Sequence, residues 1–229
     1  SHVLRCGRRI EEAAAIFPGQ VRNRNLLHPI GFSEPRNIPL SEVHRKFGLE
    51  PQRYLLFLNR IVPEKGAHYL IEAYNRIGRD DVKQVIGGNV DPRDRYLDSL
   101  GTLAGNNENT VFTGYLTDEE VREMYSNAYL FVLPSDLEGM PAVVLEAMSH
   151  RCPVLVSDIQ ECTDIIRTAD HEYGYVHKAS DVDDLAAGGT RPLLLRAHGH
   201  AKKTLFKPTF RFRRIRRCLA ARAVRELPL

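Results

Sequence analysis

The sequence has no long apolar segment and only four cysteines. No run of about 18 apolar residues occurs, and the opening stretch "SHVLRCGRRIEEAAAIF" lacks the apolar segment of a signal peptide. Membrane-spanning and secreted proteins are therefore disfavoured, and a cytoplasmic location is expected. Cys6, Cys152, Cys162 and Cys218 are scattered and form no C-x-x-C pair. Reduced thiols are expected rather than a zinc site or a disulfide framework, and no metal or cofactor is predicted.

Acidic residues are nearly absent from the last part of the chain. Residues 190–229 contain 12 Lys and Arg and one acid, Glu226, out of 32 bases and 29 acids in all 229 residues. The preceding part therefore holds 20 bases and 28 acids and is acidic. An acidic body followed by a basic tail is predicted.

Short apolar runs alternate with segments of helical periodicity between residues 53 and 177. The runs lack the period-2 alternation of a half-exposed strand, which indicates a parallel sheet buried on both faces. A Rossmann-like α/β fold with helices on both faces of the sheet is expected. The predicted strands are 53–59, 82–88, 109–114, 129–134, 153–158 and 173–177, and the predicted helices are 67–77, 92–105, 116–128, 141–149 and 160–167.

In such sheets, ligands bind at the carboxyl ends of the strands. The first strand ends in "NRIVPEKG", where Arg60 and Lys65 lie five residues apart at the start of a helix. Two cations beside a helix N-terminus suit a diphosphate. From these residues alone, a pair of solvated surface bases is the favoured interpretation.

The segment "SDLEGMPAVVLEAMS" contains two acids in an apolar setting. Pro141 is predicted to be the first helical residue, with Glu138 in the preceding loop and Glu146 inside a helix that is apolar on nearly every face and therefore buried. A buried carboxylate needs a partner. That partner is either the diol of a ribose or a structural cation, Lys65 or Arg60, in which case Glu138 lies in solvent.

Four segments together resemble one known family. "RIVPEKGAHYLIEAY", "VFTGYLTDEEVREMYSNAYLFVLPS", "SDLEGMPAVVLEAM" and "PVLVSDIQECTDII" are similar, in order and spacing, to the C-terminal half of GT-B retaining glycosyltransferases of the family 4 type (glycosyl transferases group 1). The resemblance runs from about residue 53 to 187. It implies a linker and remnant of an N-terminal half at 1–50, a domain that binds the nucleotide-sugar donor at 51–189, and an atypical tail at 190–229.

The resemblance also implies roles for the residues at the diphosphate and the sugar. Arg60 and Lys65 match the pair that holds the diphosphate, and Glu138 matches the acid that contacts the hydroxyls of the donor sugar. These three are the expected catalytic residues. The backbone at Gly139, Met140 and Pro141 is expected to line the sugar and the phosphates.

The nucleoside end of the donor is assigned in the same way. Glu146 matches the acid that binds the ribose, and Tyr115 and Leu116 fall where the base pocket of the family lies. The expected donor is a UDP-, GDP- or ADP-sugar.

The sequence departs from the family pattern in several places. Asn59 and Arg151 stand where the family usually has glycine, and both could crowd the site. An N-terminal acceptor domain has no room before the first strand, so the isolated chain is expected to be inactive in transfer. The basic tail differs from the mixed-charge closing helix of the family.

Two alternative functions remain open from the sequence. The basic tail, with Phe206, Phe210 and Phe212 among its bases, could bind a nucleic acid or an anionic membrane surface. A GT-B nucleotide-sugar epimerase is disfavoured because the motif with two glutamates is typical of the transferases.

Overall fold

The computed structural model describes residues 38–89, 95–167 and 171–197, with side chains as far as Gly189. Most of the predicted linker and most of the basic tail lie outside these residues, so the polyanion-binding function and the membrane contact stay predictions. None of the helices in the described part is both long and apolar enough to cross a membrane.

The predicted sheet is confirmed, with six parallel strands in the order β3-β2-β1-β4-β5-β6. All six strands lie within the predicted runs. Their bounds are β1 Tyr54–Leu58, β2 Lys83–Gly87, β3 Thr110–Gly114, β4 Leu130–Leu133, β5 Val154–Ser157 and β6 Tyr175–His177.

Helices cover both faces of the sheet, as predicted. Their bounds are α1 Glu42–Phe47, α2 Ala67–Ile77, α3 Tyr96–Ala104, α4 Asp118–Asn127, α5 Ala142–Ser149, α6 Gln160–Ile166 and α7 Val182–Ala197. One apolar cluster packs α1, α4, α5 and α6 against one face, and a second packs α2, α3 and α7 against the other. Alternate residues of β1 enter opposite clusters, for example Leu56 and Phe57, because successive strand side chains point to opposite faces.

Local sequence signals fix two of the helix ends. The predicted capping box of α4 is present: Thr117 Oγ1 accepts from the Glu120 N–H, and the Glu120 carboxylate accepts from the Thr117 N–H. Helix α5 begins at Ala142, one residue later than predicted, so Pro141 is its N-cap rather than its first helical residue.

Helix α5 ends in a Schellman motif. The Arg151 N–H donates to the Met148 carbonyl at 3.0 Å, and the Cys152 N–H donates to the Ala147 carbonyl at 3.0 Å. The motif places Arg151 in the left-handed region, with φ of 58°, a conformation that favours glycine. This geometry is the physical reason that a glycine is expected at this position.

Residues before position 51 also contribute to the core. Val43 and Leu49 are completely buried in the same core as the sheet. The buried carboxylate of Glu123, in α4, accepts hydrogen bonds from the backbone N–H groups of Ser41 and Val43, which caps the N-terminus of α1. At the other end, α7 continues past the predicted boundary at 189. The three predicted domain limits stay predictions.

Candidate functional site

The order of the strands places a crevice between β1 and β4. From β1 the chain moves outward to β2 and β3, then returns to the other side of β1 and moves outward again through β4, β5 and β6. Ligands of open α/β sheets bind at the carboxyl ends of the strands at such a reversal. The two segments that leave these ends, beginning at Asn59 and at Pro134, contain the predicted diphosphate and sugar residues.

Lys65 and Glu138 form a buried ion pair at this point. Lys65 Nζ lies 2.9 Å from Glu138 Oε2 and donates to the Leu137 carbonyl at 2.9 Å. The two residues are 7% and 8% exposed. The structure therefore contradicts the alternative in which Lys65 pairs with Glu146 and Glu138 lies in solvent.

Two further donors contact Glu138 Oε1. Ser135 Oγ donates to it at 2.7 Å, and Asn59 Nδ2 donates at 3.4 Å. A buried charge is tolerated when it is paired and hydrogen-bonded, and Glu138 meets both conditions. Asn59, which stands where the family usually has glycine, thus contributes a polar group to the site.

Arg60, in the segment that follows β1, is exposed. Its backbone N–H donates to Asn59 Oδ1 at 2.8 Å, whereas its guanidinium has no acidic partner among the described side chains. Arg60 lies two residues after the end of β1, and Lys65 lies at the end of a short 3-10 turn, Pro63–Lys65. The structure therefore supplies one free cation and one paired cation at the same strand end.

Gly66 allows the turn that carries Lys65 to approach the end of β4. Its φ is +73°, and a Cβ placed on it would lie 2.1 Å from the carbonyl oxygen of Pro134. No side chain fits in that space. This close approach brings Lys65 within reach of the loop that carries Glu138.

The loop after β4 is held by Asp136, which we call the Asp136 brace. The Asp136 N–H donates to the Glu64 carbonyl at 3.0 Å. Its carboxylate accepts from the Tyr69 hydroxyl at 3.1 Å and from Ser180 Oγ at 2.7 Å. The brace connects the loop to the 3-10 turn, to α2 and to the segment after β6.

The backbone at Gly139, Met140 and Pro141 was expected to line the sugar and the phosphates, and two of these three residues have an N–H group available. The backbone N–H groups of Gly139 and Met140, both exposed, have no acceptor among the described residues. The Ala142 N–H instead donates to the Met140 carbonyl at 2.8 Å, and Pro141 has no N–H. Two unpaired N–H groups at a helix N-terminus suit an anion.

Glu146 is exposed, so the prediction that it is buried was wrong. Helix α5 buries Val144, Leu145, Ala147 and Met148, and Glu146 projects from the remaining surface. Its carboxylate accepts a hydrogen bond from the Tyr125 hydroxyl at 3.3 Å. Neither of the predicted structural cations, Lys65 nor Arg60, pairs with it.

Surrounding protein atoms still affect the carboxyl of Glu146. Partial desolvation raises its pKa above the ordinary value, the Tyr125 hydrogen bond lowers it, and the negative charge of Asp118 raises it. The side chain is nevertheless exposed. Such a group is available to a ligand.

The two residues assigned to the base pocket have different environments. Tyr115 is 74% exposed, whereas Leu116 is 7% exposed and packs in the core. Of these two residues, only Tyr115 therefore presents its side chain to a ligand at the carboxyl end of β3. Leu137 and Met140 are also exposed apolar side chains, at 67% and 51%.

Three contacts of the site were not predicted from the sequence. No role was expected for Ser135 or Tyr125, and Asn59 was expected only to crowd the site. Ser135 precedes Glu138 by three residues in a loop, a spacing that could have indicated a local hydrogen bond. The contacts made by Asn59 and Tyr125 join segments 79 and 21 residues apart, and no local pattern predicts them.

No group of three or more His, Cys, Asp or Glu side chains in the described ranges is arranged to hold a metal ion. The two cysteines with described side chains, Cys152 and Cys162, are both buried.

The Rossmann-like sheet and the charged groups at its reversal define an α/β domain with a candidate ligand site at the carboxyl ends of its central strands. The sequence profile of the family "Glycosyl transferases group 1" matches residues 41–198, more than half of the chain. The chain therefore belongs to this family of glycosyltransferases. The resemblance stated from the sequence motifs is confirmed at the level of the family.

Curated relatives are also similar to this chain. An uncharacterized glycosyltransferase of Methanocaldococcus jannaschii, MJ1607, is 35% identical over 125 residues, which cover 54% of this chain and 32% of the relative. Alpha-D-kanosaminyltransferase of Streptomyces kanamyceticus is 33% identical over 129 residues, which cover 55% of this chain and 33% of the relative. The chain thus spans about a third of the length of these relatives.

Solved structures of GT-B glycosyltransferases share the fold. A glycosyltransferase from Rickettsia africae superposes with a TM-score of 0.68 at 16% identity, covering 83% of this chain and 49% of that one. Anabaena Alr3699/HepE in complex with UDP-glucose superposes with a TM-score of 0.66 at 16% identity, covering 85% and 54%. The GT-B likeness confirms the predicted fold class.

Proposed function

We propose that this chain is the donor-binding domain of a retaining glycosyltransferase that transfers a sugar from a nucleotide-sugar to an acceptor. One observation carries the proposal: in a member of this family, the buried Lys65–Glu138 pair lies at the reversal of the sheet, where the segment after β1 also carries the exposed Arg60. The crystallised complex of HepE with UDP-glucose supports a nucleotide-sugar as the donor. UDP-, GDP- and ADP-sugars are all retained as candidates.

The diphosphate would bind between Arg60, Lys65 and the N-terminus of α5. An ammonium group has three hydrogens, and Lys65 directs two donor contacts to Glu138 and Leu137, which leaves one for a phosphate oxygen. Arg60 and the N–H groups of Gly139 and Met140 supply the remaining donors. All these groups are cations or hydrogen-bond donors, as a diphosphate requires.

Glu138 would accept a hydrogen bond from one hydroxyl of the donor sugar. A carboxylate has about four lone-pair positions, and Lys65, Ser135 and Asn59 occupy three of them. The fourth position fits a single hydroxyl group. Since its geometry is fixed by three partners, Glu138 would orient the sugar relative to the phosphates.

Glu146 would bind the ribose, because its exposed carboxylate can accept from two adjacent hydroxyls. The exposed ring of Tyr115 would contact the base.

The chemical step builds positive charge on the anomeric carbon and negative charge on the leaving diphosphate. Lys65 and Arg60 would stabilise the negative charge on the leaving diphosphate, which is greater in the transition state than in the bound donor. A retaining outcome rests on the family 4 resemblance. Transfer is proposed to require an acceptor-binding half as well, since the relatives are about three times as long as the matched segment.

The proposal is tested by calorimetric titration and thermal unfolding with UDP, GDP and ADP. We expect at least one of them to bind and to raise the melting temperature, because a ligand that binds only the native state stabilises it. Absence of heat and of any shift with all three at millimolar concentration would contradict the proposal.

A pair of arginine variants shows whether the predicted site is the one that binds. Arg60→Ala removes an exposed side chain, so the unfolding free energy should stay nearly unchanged, while affinity for the nucleotide falls by roughly 1.5 to 3 kcal/mol, the value of a hydrogen bond to a charged group. Arg45→Ala, on the exposed surface of α1, is the matched control and should leave affinity unchanged. Equal affinities in the two variants would exclude Arg60 from the site.

A further inference from the structure

Tyr125 is buried, contacts Glu146 and is held by neighbouring aromatic rings. The residue belongs to α4 and is 2% exposed. Its ring makes an edge contact with Phe131 at a centroid distance of 5.5 Å and stacks on His150 at 5.9 Å. The ring can therefore neither rotate away nor be displaced without disrupting the core.

The hydroxyl of Tyr125 has one hydrogen-bond partner among the described residues, Glu146 Oε2 at 3.3 Å. This distance exceeds the usual range of about 2.5 to 3.0 Å for an O–H···O bond, so the hydrogen bond is a long one. Burial raises the pKa of Tyr125 well above its ordinary value, so the hydroxyl stays protonated and acts as a donor. The hydrogen bond therefore runs from a rigid buried group to an exposed carboxylate.

The carboxylate of Glu146 is otherwise unconstrained. In the described part of the chain, no Lys or Arg lies within ion-pair distance of it. One oxygen contacts Tyr125, and the remaining lone pairs face solvent. A glutamate loses substantial rotamer freedom when it is fixed, so a ligand that binds a free carboxylate would have to supply that cost.

We propose that Tyr125 is a positioning residue for the ribose: it holds one oxygen of Glu146 so that the other oxygen meets the 2′- and 3′-hydroxyls in a fixed orientation. The inference rests on the proposed function and deepens it, because it assigns the ordering of the ribose-binding acid to a residue that touches no substrate. Tyr125 acts through Glu146 alone.

The test compares ribonucleotides with analogues that lack the diol. Affinities of UDP, GDP and ADP and of their 2′,3′-dideoxy counterparts are measured by calorimetry on the full chain and on Tyr125→Phe. We expect Tyr125→Phe to lower the affinity for whichever ribonucleotide binds the wild type. The decrease should be roughly tenfold, the order expected for one hydrogen bond to a charged group. Its dideoxy analogue should bind both proteins equally.

Tyr54→Phe is the matched control. Tyr54 is also completely buried, and its hydroxyl donates to the Met124 carbonyl at 2.8 Å, away from Glu146. The variant removes a comparable buried hydroxyl and should lower the melting temperature without changing the ratio of ribonucleotide to dideoxynucleotide affinity. A change of that ratio in both variants would indicate a general loss of packing and would overturn the proposal.

The double variant Tyr125→Phe/Glu146→Gln tests whether the two residues act as a unit. With the carboxylate already removed, loss of the hydroxyl should lower the affinity for the ribonucleotide by less than a further factor of two, since the effects of substitutions at coupled residues are not additive. Full additivity would overturn the proposal.

The experiment separates two failures. If no nucleotide binds the wild-type chain, both the proposed function and the inference are wrong. If the wild type binds and prefers the ribonucleotide, but Tyr125→Phe keeps the same preference, the proposed function stands and only the role of Tyr125 is overturned.

Discussion

Glu138 Oε2 lies 2.9 Å from Lys65 Nζ, in a pair of which both members are almost completely buried. The other acid of the same motif, Glu146, is exposed, and its hydrogen-bond partner among the described residues is a tyrosine hydroxyl. The two acids therefore have different physical roles, although the sequence places both in an apolar segment. Substitution of each acid should give a different combination of stability and binding.

Glu138→Gln should destabilise the fold strongly. The substitution leaves the Lys65 ammonium buried beside a neutral amide, and breaking a buried ion pair costs about 3 to 5 kcal/mol. Urea unfolding monitored by circular dichroism measures this change. Lys65→Met added to Glu138→Gln should recover part of the loss, because no unpaired charge then remains. Stability equal to wild type in Glu138→Gln would show that the pair is not formed in solution.

Glu146→Gln should leave the stability of the fold unchanged and weaken nucleotide binding. The side chain is exposed, so the unfolding free energy should change by less than about 0.5 kcal/mol. Affinity for the ribonucleotide should fall by roughly 1.5 to 3 kcal/mol, as expected for hydrogen bonds to a charged group. Urea unfolding and calorimetric titration on the same preparation check both values. A destabilised protein with unchanged affinity would mean that Glu146 has a structural role.

Nucleotide affinity should also depend on pH through Glu146. Partial desolvation and the charge of Asp118 raise its pKa above the ordinary value, and the Tyr125 hydrogen bond opposes them. Because the ionised form binds the diol, affinity should be present above the raised pKa and fall as the pH decreases through it. The phosphate groups titrate as well, so Glu146→Gln is the reference. Its pH profile should lack this step, and identical profiles in the two proteins would contradict the assignment.

Arg151→Gly should stabilise the protein. Arg151 occupies the left-handed position of the Schellman motif, where a non-glycine residue costs about 1 kcal/mol. We expect a gain of about 0.5 to 1 kcal/mol in unfolding free energy, measured by urea or thermal unfolding. Arg151→Ala removes the same side chain but keeps the strained backbone, so it should give no gain. Equal effects of the two variants would assign the change to the lost charge.

Glu123→Ala should loosen helix α1. Its carboxylate caps the first N–H groups of α1, and loss of an N-cap acceptor costs about 0.5 to 2 kcal/mol. Hydrogen exchange should become faster at the backbone amides of Ser41 and Val43 in particular. Glu119→Ala, an exposed acid on the same helix α4, is the control and should leave these amides unchanged.

The sequence predicted the fold well because its signals are local. Apolar runs, helical periodicity and the Thr117 capping box each depend on neighbouring residues, and the structure confirms the elements they indicated. The position of the site followed from the same alternation, since parallel strands bring their carboxyl ends together. The assignments of Arg60, Lys65 and Glu138 to a diphosphate and a sugar stay predictions that the geometry supports.

The sequence could not predict the surroundings of the two acids. Whether Glu138 or Glu146 is buried depends on which side of α5 meets the sheet and on how the Gly66 turn approaches Pro134. Lys65 lies 73 positions before Glu138 along the chain, and nothing local distinguishes it from Arg60. Arg60 lies in an exposed part of the segment after the strand, whereas Lys65 is buried at the end of the 3-10 turn.

The Asp136 brace has a consequence for the thermodynamics of ligand binding. A loop that is disordered before binding loses conformational entropy when a ligand fixes it, and that loss reduces the observed affinity. Here the loop that carries Leu137, Glu138 and Gly139 is already tied to three other segments by Asp136. Association should therefore carry little entropic penalty from this loop, and most of the contact energy at the phosphates should appear as net affinity.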